Sequence, residues 1–107
     1  PNISFARDTV ENIVNYKKND SFFFSEITWY LLEDKLIDKV FEKMNRYLKG
    51  KYFIHNLTFY RGQQKYGNNY FTNLDQFISF CPFKLLTKVE IDNIDHETIQ
   101  SSCIFNI

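Results

Sequence analysis

Apolar residues repeat at helical spacing over the first half of the chain. The spacing predicts a first helix that begins at Ser4, which can accept a hydrogen bond from a free backbone N–H, and ends at Asn19–Ser21. A second helix is predicted from an N-cap at Ser25 to Gly50, which can end it in a left-handed conformation. Its apolar stripe recurs every fourth residue and is interpreted as core: Leu32, Leu36, Val40, Met44 and Leu48.

After Gly50 the apolar period changes from 3.6 to 2, which is typical of strands. Four strands are predicted, and they cover Lys51–Arg61, Tyr70–Phe80, Phe83–Asp92 and Glu97–Ile107. The order of helix, helix and four strands predicts an α+β fold. We expect a single domain over residues 1–107, with two N-terminal helices packed on a four-stranded antiparallel sheet.

The predicted second strand, Tyr70–Phe80, mixes apolar and polar residues on both of its faces. The polar loop before it, Gly62–Asn69, is longer than the two to five residues usual for a hairpin. Such a loop lets the strand leave its own sheet and pair elsewhere. An edge strand has free N–H and C=O groups that can pair with another chain.

The charge balance argues against a nucleic-acid partner, since 13 basic and 13 acidic residues give a formal net charge of zero. No stretch approaches the length of a membrane span. The two cysteines, Cys81 and Cys103, have no metal-ligand spacing and give weak support for a disulfide, so a reduced, intracellular setting is expected. Because the chain begins with Pro1 rather than Met, a signal before it is left open.

The candidate catalytic side chains do not form a recognisable constellation. His55 lies in the middle of a predicted strand among aromatic residues and is interpreted as a core or edge histidine, and His96 lies in a predicted turn. Cys81 could pair with a distant histidine as a nucleophile, but the spacing does not support this. The sequence contains neither a Gly-rich phosphate loop nor a metal-binding His pair. We therefore expect a protein that is not an enzyme and uses no cofactor or metal.

Four segments resemble the Tctex-type dynein light chains and together span nearly the whole chain. SFARDTVENIV is similar to the family's opening Phe-x-x-Asp-x-Val-x-x-Ile-Val pattern, and SEITWYLLEDKLIDKVFEKM resembles its second helix. In the latter, Ile27 stands for a Val, and Trp29 or Tyr30 stands for a Trp. KYFIHNLTFYR and SSCIFNI resemble the family's first strand and its C-terminus. The second strand departs from the family, because it has large residues where the family has small ones.

The resemblance implies a homodimeric, non-catalytic light chain of a dynein motor, cytoplasmic and cytoskeleton-associated or axonemal. It implies that two copies exchange the second strand, Tyr70–Phe77. An extended segment of a dynein intermediate chain or a cargo then adds beside it as one more strand. The implied partner-binding residues are this strand and three side chains of the groove wall: Tyr70, Phe71, Thr72, Asn73, Leu74, Asp75, Gln76, Phe77, Trp29, Tyr30 and Glu33.

Several alternatives remain open. Trp29 and Tyr30 fit ordinary core packing equally well, and Asp75 fits an exposed charge that discourages wrong strand pairing. A small enzyme or ligand-binding domain would instead have a pocket under the second helix, lined by aromatic residues. A third possibility is a structural subunit of a larger assembly that binds no extended segment.

Overall fold

The computed structural model describes residues 21–107, which form a four-stranded sheet with helices on one face. The strands are β1 (Ser21–Ser25), β2 (Tyr52–Tyr60), β3 (Lys84–Asn93) and β4 (Thr98–Asn106). The helices are α1 (Thr28–Leu31), α2 (Leu36–Tyr47) and α3 (Leu74–Phe80), with 3-10 turns at Glu33–Lys35 and Ile94–His96. The helix predicted from Ser4 lies outside the described residues.

The sheet has the strand order β1-β2-β4-β3. β1 runs parallel to β2, whereas β2 with β4 and β3 with β4 are antiparallel. The α+β class and the number of four strands are confirmed, but the fully antiparallel sheet is wrong. The parallel pair requires a crossover, which α1 and α2 provide.

The sequence pattern did not predict β1. Its sequence, SFFFS, is too short to show alternation, and Ser25 was interpreted as the cap of a helix rather than as the end of a strand. The predicted continuous helix from Ser25 to Gly50 is also wrong in its first half. Asp34 and Lys35 have positive φ angles of 55° and 56°, so the chain turns there and α2 begins at Leu36.

The core lies between the helices and one face of the sheet. β2 and β4 alternate as predicted, and their inward residues are buried against α2 and α3. The predicted stripe of α2 is confirmed as core, since Val40, Met44 and Leu48 have no exposed surface. The buried members of the sheet are largely aromatic: Phe24, Phe53, Phe59 and Phe105.

The strand predicted over Tyr70–Phe80 is wrong, because Leu74–Phe80 forms the helix α3. The Asn73 side chain caps it by accepting a hydrogen bond from the Gln76 N–H at 2.9 Å. Leu74 and Phe77 lie one turn apart on the buried side. The exchange of this segment between two copies, and the homodimer itself, stay predictions, because the structure contains one chain.

Within residues 21–107, no helix covers the opposite face of the sheet. One row across its four strands contains Phe23, Ile54, Ile104 and Thr87, which are register partners. Val89 and Ile91 of β3 continue this face and are 55% and 59% exposed. We call it the open face.

Candidate functional site

Three residues predicted to bind a partner instead belong to the core. Phe71, Leu74 and Phe77 are at most 1% exposed. The Phe77 ring stacks on the His55 ring with centroids 4.1 Å apart, and the Phe71 ring lies 5.3 Å from the Trp29 ring. These side chains hold α3 and the preceding turn on the sheet, so they are not available to a partner in this chain.

The other predicted residues of this segment mainly shape the start of α3. The Gln76 side chain accepts hydrogen bonds from the Thr72 N–H at 2.7 Å and the Thr72 hydroxyl at 3.2 Å, beside the cap made by Asn73. The Tyr70 hydroxyl donates to the Leu32 carbonyl at 3.1 Å. Asp75 is exposed and accepts from Lys88 Nζ at 3.2 Å.

Trp29 and Tyr30 line a cavity, and their role in the wall of a partner groove stays a prediction. The cavity has a volume of about 230 Å³ and is enclosed by Glu26, Trp29, Tyr30, Tyr60 and Tyr66. We call these five residues the aromatic corner. Glu33 is exposed and lies outside the cavity lining.

The aromatic corner forms where β1 ends but β2 continues. Glu26 follows β1 with a φ of 59°, and its N–H donates to the Asn56 carbonyl at 3.0 Å. Its carboxylate then accepts from the Thr58 N–H at 3.1 Å and the Thr58 hydroxyl at 2.6 Å. Further along, the Tyr60 N–H donates to Gln64 Oε1 at 3.1 Å. The side chains of Glu26 and Gln64 therefore satisfy the backbone of β2 in place of a neighbouring strand.

These hydrogen bonds also establish which backbone groups of the sheet point outward. In a strand, the N–H and C=O of one residue point to the same neighbour, and the direction alternates along the chain. Thr58 and Tyr60 point toward the β1 side, so the odd-numbered residues of β2 point to β4. In an antiparallel pair, two opposite residues either point toward each other or both point away. Asn56 points away from β4, so its partner Ser102 points away from β2 and toward β3. Val89, the partner of Ser102 on β3, therefore points toward β4.

The same alternation leaves Lys88, Glu90 and Asp92 with N–H and C=O groups directed away from the sheet. Within the described residues β3 pairs with β4 alone, so this side of it forms a sheet edge. The ladder is regular from Thr87 to Asn93, after an irregularity between Leu85 and Thr87. We call the outward side of Thr87–Asn93 the β3 edge.

The side chains of the β3 edge alternate between charged and apolar residues. Lys88, Glu90 and Asp92 lie on the helix side of the sheet, and Val89 and Ile91 lie on the open face. Lys88 pairs with Asp75, and Asp92 pairs with Arg61. Glu90 is exposed and has no ion-pair partner among residues 21–107. Among the described residues, β3 is thus an edge strand with most of both faces accessible.

The candidate acid–base and nucleophilic side chains are in unreactive surroundings. His55 is fully buried, its Nε2 lies 2.6 Å from the Thr28 hydroxyl, and burial lowers its pKa to about 3. Burial also raises the pKa of Cys81 to about 12 and that of Cys103 to about 11. Both thiols are free and stay protonated near neutral pH, so neither is an activated nucleophile.

A wider cleft of about 700 Å³ lies between α2 and the segment Pro82–Lys84. Charged side chains of α2 and of the following turn, among them Asp38, Glu42 and Lys49, line much of it. The cavity beneath the second helix that the ligand-binding alternative required would be apolar and aromatic. Phe41 and Phe83 also line this cleft, which is open to solvent, so it matches the expected aromatic pocket only in part.

No group of three or more His, Cys, Asp or Glu side chains is arranged to hold a metal ion within residues 21–107. None of the described helices is long and apolar enough to cross a membrane. Comparisons with protein-family models, with curated proteins and with solved structures find no match for this chain.

The sequence pattern predicted neither the aromatic corner nor the β3 edge. Glu26, Tyr60 and Tyr66 are far apart along the chain, and no spacing signal connects them to Trp29. For the β3 edge a signal was present, since Lys88 and Glu90 alternate with Val89 and Ile91. That pattern predicted a strand but not the exposure of both of its faces.

Proposed function

We propose that this chain is a non-catalytic binding module that receives an extended segment of another protein as an additional strand. The segment adds at the β3 edge. The observation that carries this proposal is the outward direction of the backbone groups of Lys88, Glu90 and Asp92 on a ten-residue edge strand. Main-chain hydrogen bonds then supply the affinity, as in other cases of β-strand addition.

The side chains of the β3 edge define the chemistry of the segment. Its residues on the open face would contact Val89 and Ile91, which are apolar and more than half exposed. Its alternate residues would face Lys88, Glu90 and Asp92. Since opposite charges across a strand pair stabilise it and like charges destabilise it, we expect a basic residue opposite Glu90. The preferred segment alternates apolar with charged residues.

The other edges of the described sheet are less suited to this role. The end of β2 beyond β1 is closed by Glu26 and Gln64, which already accept its N–H groups. Within residues 21–107, β1 offers five residues, against ten in β3. The charges on β3 discourage unselective pairing, as is common for edge strands. They still allow β3 to pair with a segment of complementary charge.

We extend the proposal to the role that the sequence resemblance implies. The chain would then be a homodimeric light chain of a dynein motor, cytoplasmic and cytoskeleton-associated, and its segment would come from a dynein intermediate chain or a cargo. The segment would pair with β3 rather than with Tyr70–Phe77, because that stretch contains α3. The low pKa of His55 and the raised pKa values of Cys81 and Cys103 favour a non-catalytic role.

A peptide array of extended segments, including those of dynein intermediate chains, tests strand addition. Segments that alternate apolar and basic residues should bind. Glu90→Pro removes the outward N–H without removing a bond to β4, so it should weaken the best peptide by about tenfold or more. Glu90→Gln keeps that N–H and serves as the matched control. Circular dichroism confirms that both variants fold. A Glu90→Pro variant that is folded and binds like the parent would contradict addition at the β3 edge.

The light-chain role makes a separate prediction about oligomeric state. Light scattering after gel filtration at near-physiological salt should give the mass of a dimer. A monomer would contradict the light-chain role but not strand addition. Shortening the loop Gly62–Asn69 to two residues should yield monomers or misfolded protein if Tyr70–Phe77 is exchanged. An unaffected dimer would refute that exchange.

A further inference from the structure

The aromatic corner has a composition that suits a cationic ligand. Four aromatic rings and one carboxylate surround a cavity of about 230 Å³. The faces of aromatic rings are electron-rich and attract cations that lie within about 6 Å of the ring centroid. The cavity is smaller than the roughly 300–1,000 Å³ typical of drug-sized ligands, so it suits a compact head group.

Three rings of the corner, those of Trp29, Tyr60 and Tyr66, contact other aromatic side chains. Trp29 packs edge-on against Phe59 with centroids 5.7 Å apart, and it also contacts Phe71. The Tyr60 and Tyr66 rings lie 6.2 Å apart at an angle of 64°. Rings set at steep angles can present faces to one enclosed point, which is the arrangement that aromatic cages use for methylated ammonium groups.

The loop that carries Tyr66 is packed tightly against the same tryptophan. Gly67 has a φ of 60°, and a Cβ at this position would lie 2.7 Å from the Trp29 ring and from Leu32 Cδ1. Only glycine fits this close approach with a left-handed backbone. The close approach of Gly67 to Trp29 therefore places the neighbouring Tyr66 beside the cavity.

Glu26 supplies a formal negative charge at the cavity wall. Its two hydrogen bonds from Thr58 use part of the roughly four lone-pair sites of a carboxylate, and they fix its position. Lys65 Nζ lies 5.2 Å from the centroid of the Tyr60 ring, so a ligand cation must displace this ammonium group or use the ring faces that it leaves free. Ring faces and a carboxylate together favour a cation over a neutral molecule of the same shape.

We propose that the aromatic corner binds a trimethylammonium group, carried either by a trimethyllysine side chain or by a small choline-type molecule. This activity goes beyond strand addition and uses other residues. No residue of the corner belongs to the β3 edge, so the failure of one proposal leaves the other standing.

The fluorescence of Trp29 tests the proposal directly, because it is the sole tryptophan of the chain. The protein is titrated with a short peptide containing trimethyllysine, with choline, and with 3,3-dimethylbutanol, which replaces the charged nitrogen of choline by carbon. We expect a saturable change with at least one of the cations and binding at least about tenfold weaker for the neutral alcohol. A response to choline alone assigns the site to a small molecule, and a preference for the peptide assigns it to a modified protein. No response to either cation, or equal binding of the alcohol, would overturn the proposal.

Matched variants separate the ring contribution from folding. Tyr66 is 54% exposed and Tyr30 is 78% exposed, so substitution of either should leave the fold intact. Tyr66→Leu should weaken cation binding about tenfold, whereas Tyr66→Phe keeps the ring and should bind like the parent. If the Tyr66 variants unfold, Tyr30→Leu and Tyr30→Phe provide the same comparison. Unchanged cation binding by both single variants, Tyr66→Leu and Tyr30→Leu, when they are folded would contradict the aromatic cage.

Discussion

Acid should destabilise this protein through His55, which is buried in the centre of the sheet. The imidazole is fully buried, lies against the Phe77 ring, and has a pKa lowered from 6.5 to about 3 by burial. Since the folded-state pKa is below the unfolded one, the unfolded chain binds the extra proton. The stability that depends on neutral His55 is therefore complete above about pH 6.5 and is lost as the pH falls toward 3.

The size of this effect follows from the shift in the pKa. Each pKa unit corresponds to about 1.4 kcal/mol, so the free energy of unfolding should fall by about 2 kcal/mol between about pH 8 and pH 5. Below pH 3 the loss from this one group would approach about 5 kcal/mol. Above pH 5 the change in the free energy of unfolding with pH comes mainly from His55, because carboxyl groups bind protons mostly at lower pH.

Urea unfolding followed at several pH values between 5 and 8 measures this dependence. His55→Gln should be less stable than the parent at pH 8, but its free energy of unfolding should vary much less with pH. His96→Gln is the matched control, since it removes the other histidine from an exposed turn and should keep the pH dependence of the parent. Equal pH dependence in His55→Gln and the parent would refute the burial of a neutral imidazole.

Further predictions concern α3, the loop and the thiols. Phe77→Ala should lower the free energy of unfolding by about 3–5 kcal/mol in urea titrations, since Phe77 has no exposed surface; a loss near zero would contradict the packing of α3. Gly67→Ala should cost about 1–2 kcal/mol from its positive φ alone, and its clash with Trp29 should change the tryptophan emission. Cys81 and Cys103 should react with a thiol reagent at pH 8 much faster in urea than in the folded protein; equal rates would disprove their burial.

The sequence predicted the elements that have one clear period. β2 and β4 follow from alternation and are found close to their predicted bounds, whereas the four-residue repeat of the predicted second helix is helical in α2 only from Leu36 onward. The sequence did not predict α3, because its aromatic and β-branched residues favour strands locally. The tertiary packing of Phe77 and the cap by Asn73 stabilise the helix instead. The signal was present in the sequence: Asn73 lies three residues before Gln76, the spacing of a helix cap.

The candidate sites depend on which strands pair in the sheet, and the local pattern of apolar and polar residues does not predict that pairing. Nothing in the sequence of Ser21–Ser25 indicates a strand parallel to β2, and without that strand Glu26 has no predicted place beside Thr58. Trp29 and Tyr30 line a cavity, and its other aromatic residues, Tyr60 and Tyr66, come from a distant part of the chain.

Amide hydrogen exchange measured by NMR, with and without a bound extended peptide, tests the central claim of strand addition at the β3 edge most directly. In the free protein, Val89 and Ile91 should exchange slowly because their N–H groups point to β4, and Glu90 should exchange fast. Peptide binding should slow Glu90 strongly, together with Lys88 and Asp92, and leave β1 unchanged. Unchanged exchange at Glu90 in the presence of saturating peptide would contradict the account.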